Sequence, residues 1–147
     1  MSWDPEPSLD AFAQVWHGWH QEHVAGTKVE FAIRLKETGE YLGTAGLHEI
    51  EAVEPETGIW IKEVCQGHGF GFEALSTVIA FAARDLGKET LTYHVAEKNV
   101  ASCRLAENLG GEIVGRKVLE KSDGTKFSGL IYRLSASAVE HRSRRKC

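Results

Sequence analysis

The 147-residue chain has only three cysteines, Cys65, Cys103 and Cys147, far apart and with no CxxC pair. This excludes a disulfide framework and a cysteine-built zinc site, and leaves free thiols. No apolar run approaches the roughly 18 to 20 residues that a membrane span requires. Met1-Ser2-Trp3-Asp4-Pro5 has neither the basic start nor the apolar stretch of a secretion leader. A cytoplasmic protein with no membrane partner is therefore expected. Repeats, low-complexity tracts and linkers are also lacking. What the chain does have is 42% hydrophobic residues, ordinary for one domain with a real core.

The formal charge is −4, yet Arg142, Arg144, Arg145 and Lys146 stand against Glu140 in the last eight residues, leaving an acidic body. Such a body repels nucleic acid phosphates and suits a cationic acceptor such as an amine. The stretch from Glu140 to Cys147 lacks apolar anchors. The expectation is a single domain over residues 1–134 and a basic, disordered tail over 135–147.

Leu9, Phe12, Ala13, Trp16, Trp19 and His23 recur at helical steps before Gly26, predicting a helix from Ser8 to Ala25. Phe31, Ile33 and Leu35 alternate; turn residues 37–40 then lead to a second strand, Tyr41 to His48. A third strand is predicted from Gly58 to Val64. Ala74, Leu75, Val78, Ile79, Ala82 and Leu86 share a helical face over 70–86, closed by Gly87. Leu91, Tyr93 and Val95 alternate as a strand, Asn99 opens a short helix ending at Gly110-Gly111, and Asp123-Gly124 turns a closing hairpin. The order α-ββ-β-α-β-α-ββ predicts an α/β fold with a mixed, mostly antiparallel sheet and helices on both faces. Its ligand site should lie at the carboxyl ends of the central strands.

The strand before Gln66-Gly67-His68-Gly69-Phe70-Gly71 and the helix after it suit a pyrophosphate grip. Glycines let the chain curl so that backbone N–H groups converge and phosphate oxygens approach closely. A helix start adds unpaired donors and a positive dipole end. Phe72 stands where a dinucleotide fingerprint needs glycine, and no Gly-Lys-Ser/Thr follows, so neither a dinucleotide nor a P-loop motif is present. Local sequence alone leaves a plain strand-to-helix turn as the rival.

The run from Gln66 to Gly71 resembles the Q/R-x-x-G-x-G/A signature of the GNAT superfamily of N-acetyltransferases. Asn99-Val100-Ala101-Ser102 and the residues up to Gly110 resemble that family's second element. Thr38 to Thr44 and Gly58-Ile59-Trp60-Ile61 further resemble its RimJ/RimL-like branch, the ribosomal-protein N-terminal acetyltransferases. The resemblance runs from about Ser8 to Leu134. It implies acetyl-CoA as co-substrate, no metal, and transfer to a primary amine. A protein N-terminus is favoured, with a small amine or a non-catalytic acyl-CoA sensor as alternatives. It implies that the amides of Gln66, Gly67, His68, Gly69, Phe70 and Gly71 hold the pyrophosphate. Ile61 and Lys62 would pair with the pantetheine arm, and Asn99, Ser102 and Arg104 would line the other side. Two departures stand out. Gly111 replaces the aromatic usual after the helix-ending glycine, a loss of buried area worth roughly 1.5 to 3 kcal/mol. The family's opening strand and first helix also have no counterpart in the sequence.

The resemblance implies that a backbone N–H of the Ile61–Val64 segment steadies the oxyanion. No tyrosine lies between Asn99 and Lys121, so Ser102 is the candidate acid for the leaving thiolate, with capping of its own helix as the other reading. Glu120 is the candidate base, a solvated strand-end carboxylate its rival reading, and His48, Glu49 and Glu51 are competitors. His17, His20 and His23 read as a solvated helical stripe, and His94 as a hydrogen-bonded strand histidine. Trp16 and Trp19 read as core, or as a face that meets another subunit in a homo-oligomer.

Overall fold

The structure, a computed structural model, describes residues 8–146. The leader reading of Met1–Pro5 and the third thiol, Cys147, lie outside it, as does the side chain of Phe12. The elements are α1 (Leu9–Ala25), β1 (Lys28–Arg34), β2 (Tyr41–His48), β3 (Glu56–Ile61), α2 (Phe70–Leu86), β4 (Thr90–Ala96), α3 (Val100–Asn108), β5 (Glu112–Glu120), β6 (Lys126–Ser135) and α4 (Ala136–Lys146). The strands form one sheet in the order β1-β2-β3-β4-β6-β5. Every neighbouring pair is antiparallel except β3 with β4.

The mixed sheet follows from the patterning. Leu91, Tyr93 and Val95 on β4 turn to the same face as Leu130, Tyr132 and Leu134 on β6, and all six are buried. Leu75, Val78, Ile79 and Ala82 of α2 are the buried stripe laid over that face. Each such large side chain contributes about 1.5 to 3 kcal/mol by leaving water. α1 lies on the other side, where the Lys28 ammonium sits 4.8 Å over the Trp19 ring. Ser8 caps α1 by accepting from Ala11, and Gly26 ends it in the left-handed region at φ 75°. Trp16, 52% exposed and stacked on His20, is not a core residue.

Two expectations are corrected. The third strand stops at Ile61 rather than Val64, because the chain turns through a 3₁₀ segment at Glu63–Cys65, with Cys65 N–H donating to the Lys62 carbonyl. The stretch expected to be a disordered tail is instead the helix α4 over most of its length. Its anchors precede the basic cluster: Ala136 and Val139 are 5% and 3% exposed and belong to the core. Ser135 caps it by accepting from Ala138 N–H, and Ala136 N–H donates to the Glu89 carbonyl. The charge density after Glu140 masked a two-residue apolar anchor.

Candidate functional site

The parallel pair is where the sheet opens. Only Glu56 with Thr92 and Thr57 with Tyr93 are in register, although β3 continues to Ile61 and β4 to Ala96. From Gly58 and His94 onward the two strands part. Lys62 N–H donates to the Leu42 carbonyl around the Gly43–Ile61 pair, which fixes the phase of the β2–β3 ladder. Peptide groups alternate along an antiparallel ladder, so those of Gly58 and Trp60 turn to β2 while those of Ile59 and Ile61 turn into the opening. On the other bank Thr92 N–H donates to the Pro55 carbonyl, which turns the peptide groups of His94 and Ala96 toward β3. The cleft is walled by backbone.

At its far end the glycine loop joins β3 to α2. Gly67 and Gly69 have φ of 78° and 84°, a region that costs an L side chain about 1 to 2 kcal/mol. Open space surrounds both at the Cβ position, so these two glycines are required by conformation. Gly71 is closely packed without being compelled: a Cβ there would lie 3.3 Å from the Leu105 side chain and 3.6 Å from that of Ile61. Gln66 latches the loop: its side-chain amide donates to the Ile61 carbonyl at 3.0 Å. No backbone acceptor among the described residues takes the N–H groups of Gly67, His68, Gly69, Phe70 or Gly71. The loop is a concave row of donors at a helix start, a cradle suited to a diphosphate.

A second helix follows β4, and its Leu105 side chain packs close to Gly71. Asn99 caps α3 just past β4, its side-chain oxygen accepting from Ser102 N–H at 3.1 Å. The Ser102 hydroxyl meets the phenol of Tyr93, a buried β4 residue whose pKa burial raises while the serine contact lowers it. Arg104 is exposed on α3. Gly111 packs closely, because a Cβ would stand 2.8 Å from both the Ala106 carbonyl oxygen and Leu134. The aromatic that the resemblance led us to expect is replaced by direct backbone contact.

Where the cleft begins, on the face away from α2, Glu56 Oε2 lies 3.3 Å from His94 Nδ1, and Lys117 Nζ lies 2.6 Å from the same nitrogen. Burial lowers the His94 pKa; Glu56 opposes that shift, Lys117 adds to it, and Glu49 opposes it again. The imidazole is therefore neutral near pH 7, with Nδ1 accepting from Lys117 or, once protonated, donating to Glu56. This trio can take up a proton beside the cleft.

The structure ties Ile61 to the glycine loop through Gln66 and sets Asn99 and Ser102 together at the start of α3. Three expected residues do not serve as foretold. The Gln66 N–H is given to the Glu63 carbonyl at 3.1 Å, so its amide is not among the free donors of the loop. Lys62 is committed to Leu42 through its N–H, and its place is taken by Ile59, two residues back on the correct edge. Glu120 is exposed on edge strand β5, paired with Lys126 at the hairpin and separated from β4 by β6, so the proximity to the cleft expected of a base is absent. Sequence reasoning missed Ile59, Glu56 and Tyr93. Strand phase was the available signal for Ile59. Nothing local flagged Glu56 or Tyr93, which depend on long-range packing. Among the described residues no group of three or more His, Cys, Asp or Glu could hold a metal, and no helix is long and apolar enough to cross a membrane.

No curated protein sequence matches the chain. Solved structures do. RimJ of Mycobacterium smegmatis, in complex with CoA-disulfide, superposes with a TM-score of 0.79 at 18% identity, covering 98% of this chain and 76% of that one. Ribosomal-protein-S5-alanine acetyltransferase of Vibrio fischeri gives 0.76 at 15%, over 91% and 78%. A spermidine N-acetyltransferase SpeG variant of Vibrio cholerae gives 0.77 at 20%, over 97% and 86%. These likenesses establish the fold. The profile of the acetyltransferase (GNAT) domain matches residues 1–112, and with it the backbone-walled cleft and donor-lined glycine loop have their explanation: the chain belongs to the GNAT family of acetyl-CoA-dependent acetyltransferases.

Proposed function

We propose that this acetyltransferase acetylates a protein N-terminal α-amine, with the β3–β4 cleft receiving the thioester arm and the Glu56–His94 pair receiving the acceptor's proton. The observation that carries this reading is the pair itself, which stands where the strands part. Acetyl-CoA supplies the activated acyl group. The amides of Gly67 to Gly71 hold its diphosphate, Asn99, Ser102 and Arg104 flank it, and the peptide groups of Ile59 and Ile61 pair with the arm. Ile59 or Ile61 N–H steadies the negative charge that develops on the carbonyl oxygen. Ser102, backed by the buried Tyr93 phenol, donates a proton to the departing sulfur.

The choice of acceptor rests on magnitudes. At pH 7 freeing a lysine-like amine of its proton costs about 4.6 kcal/mol, and an α-amine about 1 kcal/mol. A histidine whose proton affinity is lowered is a weak base, which matches the second task. The ribosomal-protein-S5-alanine acetyltransferase described above acts by name on a protein, which agrees with a protein acceptor. A polyamine is the second reading, supported by the named activity of the SpeG neighbour and by the carboxylates Glu54 and Glu56 on that face. The test is thiol release from acetyl-CoA with peptides bearing free or blocked N-termini, and with spermidine. Turnover confined to free N-termini supports the reading; turnover on spermidine alone overturns it; binding of CoA without turnover makes the chain an acyl-CoA sensor.

A further inference from the structure

The β3–β4 opening has an apex, and three directions lead away from it. In the plane of the sheet the strands are zipped: Thr57 with Tyr93 and Glu56 with Thr92 are in register, and Thr92 N–H donates to the carbonyl of the buried Pro55. On the face away from α2 stand Glu56 and His94, 3.3 Å apart. On the α2 face lies the core. Thr57 and Tyr93 are each 1% exposed, and Val95, the next β4 residue on that face, is as deeply buried. Leu75 of α2 belongs to the same cluster, with Ile59 and Leu105 packed against it. Two contacts keep this side filled. The Thr57 hydroxyl is turned back into the sheet, donating to the Gly46 carbonyl at 2.8 Å. The Tyr93 ring reaches from β4 to the start of α3, where its phenol meets the Ser102 hydroxyl. It bars the space behind the apex.

We infer that the Tyr93 ring sets the size limit of the acyl donor, admitting acetyl- and propionyl-CoA and rejecting thioesters of butyryl length or longer. This rests on the reading above that the cleft receives the thioester arm. An acetyl group carries one methyl beyond its carbonyl, whereas a butyryl group carries two further carbons that must leave the apex in one of the three directions. The zipped strands close the first. The buried ring closes the second, because a packed core yields to added methylenes only by shifting side chains and backbone. The third brings the chain against Glu56 and His94, where the acceptor amine has to stand. Ring volume, and not the hydroxyl committed to Ser102, is the determinant.

The test sets wild type, Y93F and Y93L against acetyl-, propionyl- and butyryl-CoA, reading calorimetric binding and transfer to a peptide with a free N-terminus. Y93F keeps the ring, whereas Y93L shortens the side chain and leaves it apolar. In the wild type, kcat/KM for butyryl-CoA is expected about a hundredfold below that for acetyl-CoA, and Y93F should keep that ratio. Y93L should narrow it by roughly tenfold. It should also gain roughly tenfold in affinity for butyryl-CoA relative to acetyl-CoA, which is what two newly buried methylenes supply. Circular dichroism checks the fold of Y93L; L75A, which opens the same space from α2, replaces it if that fold is lost. Equal use of acetyl- and butyryl-CoA by the wild type overturns the inference. So do binding and transfer ratios that the folded variant leaves at wild-type values, or that Y93F shifts as far as Y93L does. A wild type that binds no CoA thioester overturns the cleft reading and this inference with it, whereas tight binding without size discrimination overturns this inference alone.

Discussion

Glu56 and His94 face each other across the parallel strand pair, carboxylate oxygen to Nδ1 at 3.3 Å, at the point where β3 and β4 begin to part. The same register that zips the two strands for two residues thus sets a proton acceptor beside the gap. Replacing Glu56 by Gln or His94 by Ala is expected to lower kcat by roughly 10²- to 10⁴-fold, the usual range for a positioned base, with KM for acetyl-CoA unchanged. Steady-state kinetics of the two variants check this.

The pH dependence follows from the sign of the His94 shift. Its folded pKa is lowered from 6.5, chiefly by burial. The unfolded chain therefore takes up this proton first as pH falls, so stability is full above the unfolded value and declines below it, down to the folded pKa. Activity keeps its neutral base further into the acid range than an ordinary histidine would allow. K117M removes a lowering influence and should move the acid limb of the rate profile up, whereas E56Q should move it down. Unfolding at pH 5 and pH 7, with H94Q as control, tests the stability half.

The loop prediction separates conformation from contact. Gly69→Val meets φ 84°, so the loop should distort, KM for acetyl-CoA should rise more than about tenfold, and kcat should change little. Gln66→Ala loses only the latch onto Ile61 and should raise KM by a smaller factor, in keeping with one hydrogen bond of about 1 kcal/mol. Calorimetric titration with CoA reads both.

Ser102 and Tyr93 should behave unequally. Ser102→Ala removes the hydroxyl nearest the proposed leaving group and is expected to lower kcat, with the larger loss at alkaline pH. Tyr93→Phe, which removes a buried phenol acting through that serine, should cost less in rate and leave KM unaltered. Rate profiles above pH 8 distinguish the two variants.

The C-terminal helix should matter to the whole fold. Val139 is 3% exposed, so Val139→Ala is expected to cost about 2 kcal/mol, and deletion from Ala136 onward should expose α2 and end cooperative unfolding. Thermal denaturation checks both.

Local patterning made most of this fold legible. Strict alternation marked β4, the four-residue stripe marked α2, and Asp123-Gly124 marked the turn, where Gly124 adopts φ 84°. The glycine loop was legible for the same reason, since the positive φ of Gly67 and Gly69 admits few residue types. Three things were not. α4 was hidden because its anchors, Ala136 and Val139, are few and lie just ahead of a run of arginines. The edge of β3 that faces the cleft depends on ladder phase, which only the pairing with β2 reveals. The Glu56–His94 contact joins residues 38 apart through the strand register, and no local signal marks it. Glu120, by contrast, looked suitable in sequence because a strand end beside a tight turn is accessible, yet accessibility alone does not bring it to the cleft.

The central claim is that Glu56 and His94 receive the proton of an N-terminal α-amine while the glycine loop holds acetyl-CoA. The most direct measurement is single-turnover acetyl transfer to a peptide with a free N-terminus, run on the wild type and on H94A with acetyl-CoA binding measured in parallel. Undiminished acetyl-CoA binding by H94A, with transfer slowed at least a hundredfold at pH 7 and partly restored by added imidazole, is the predicted result. Transfer by H94A at the wild-type rate would contradict it.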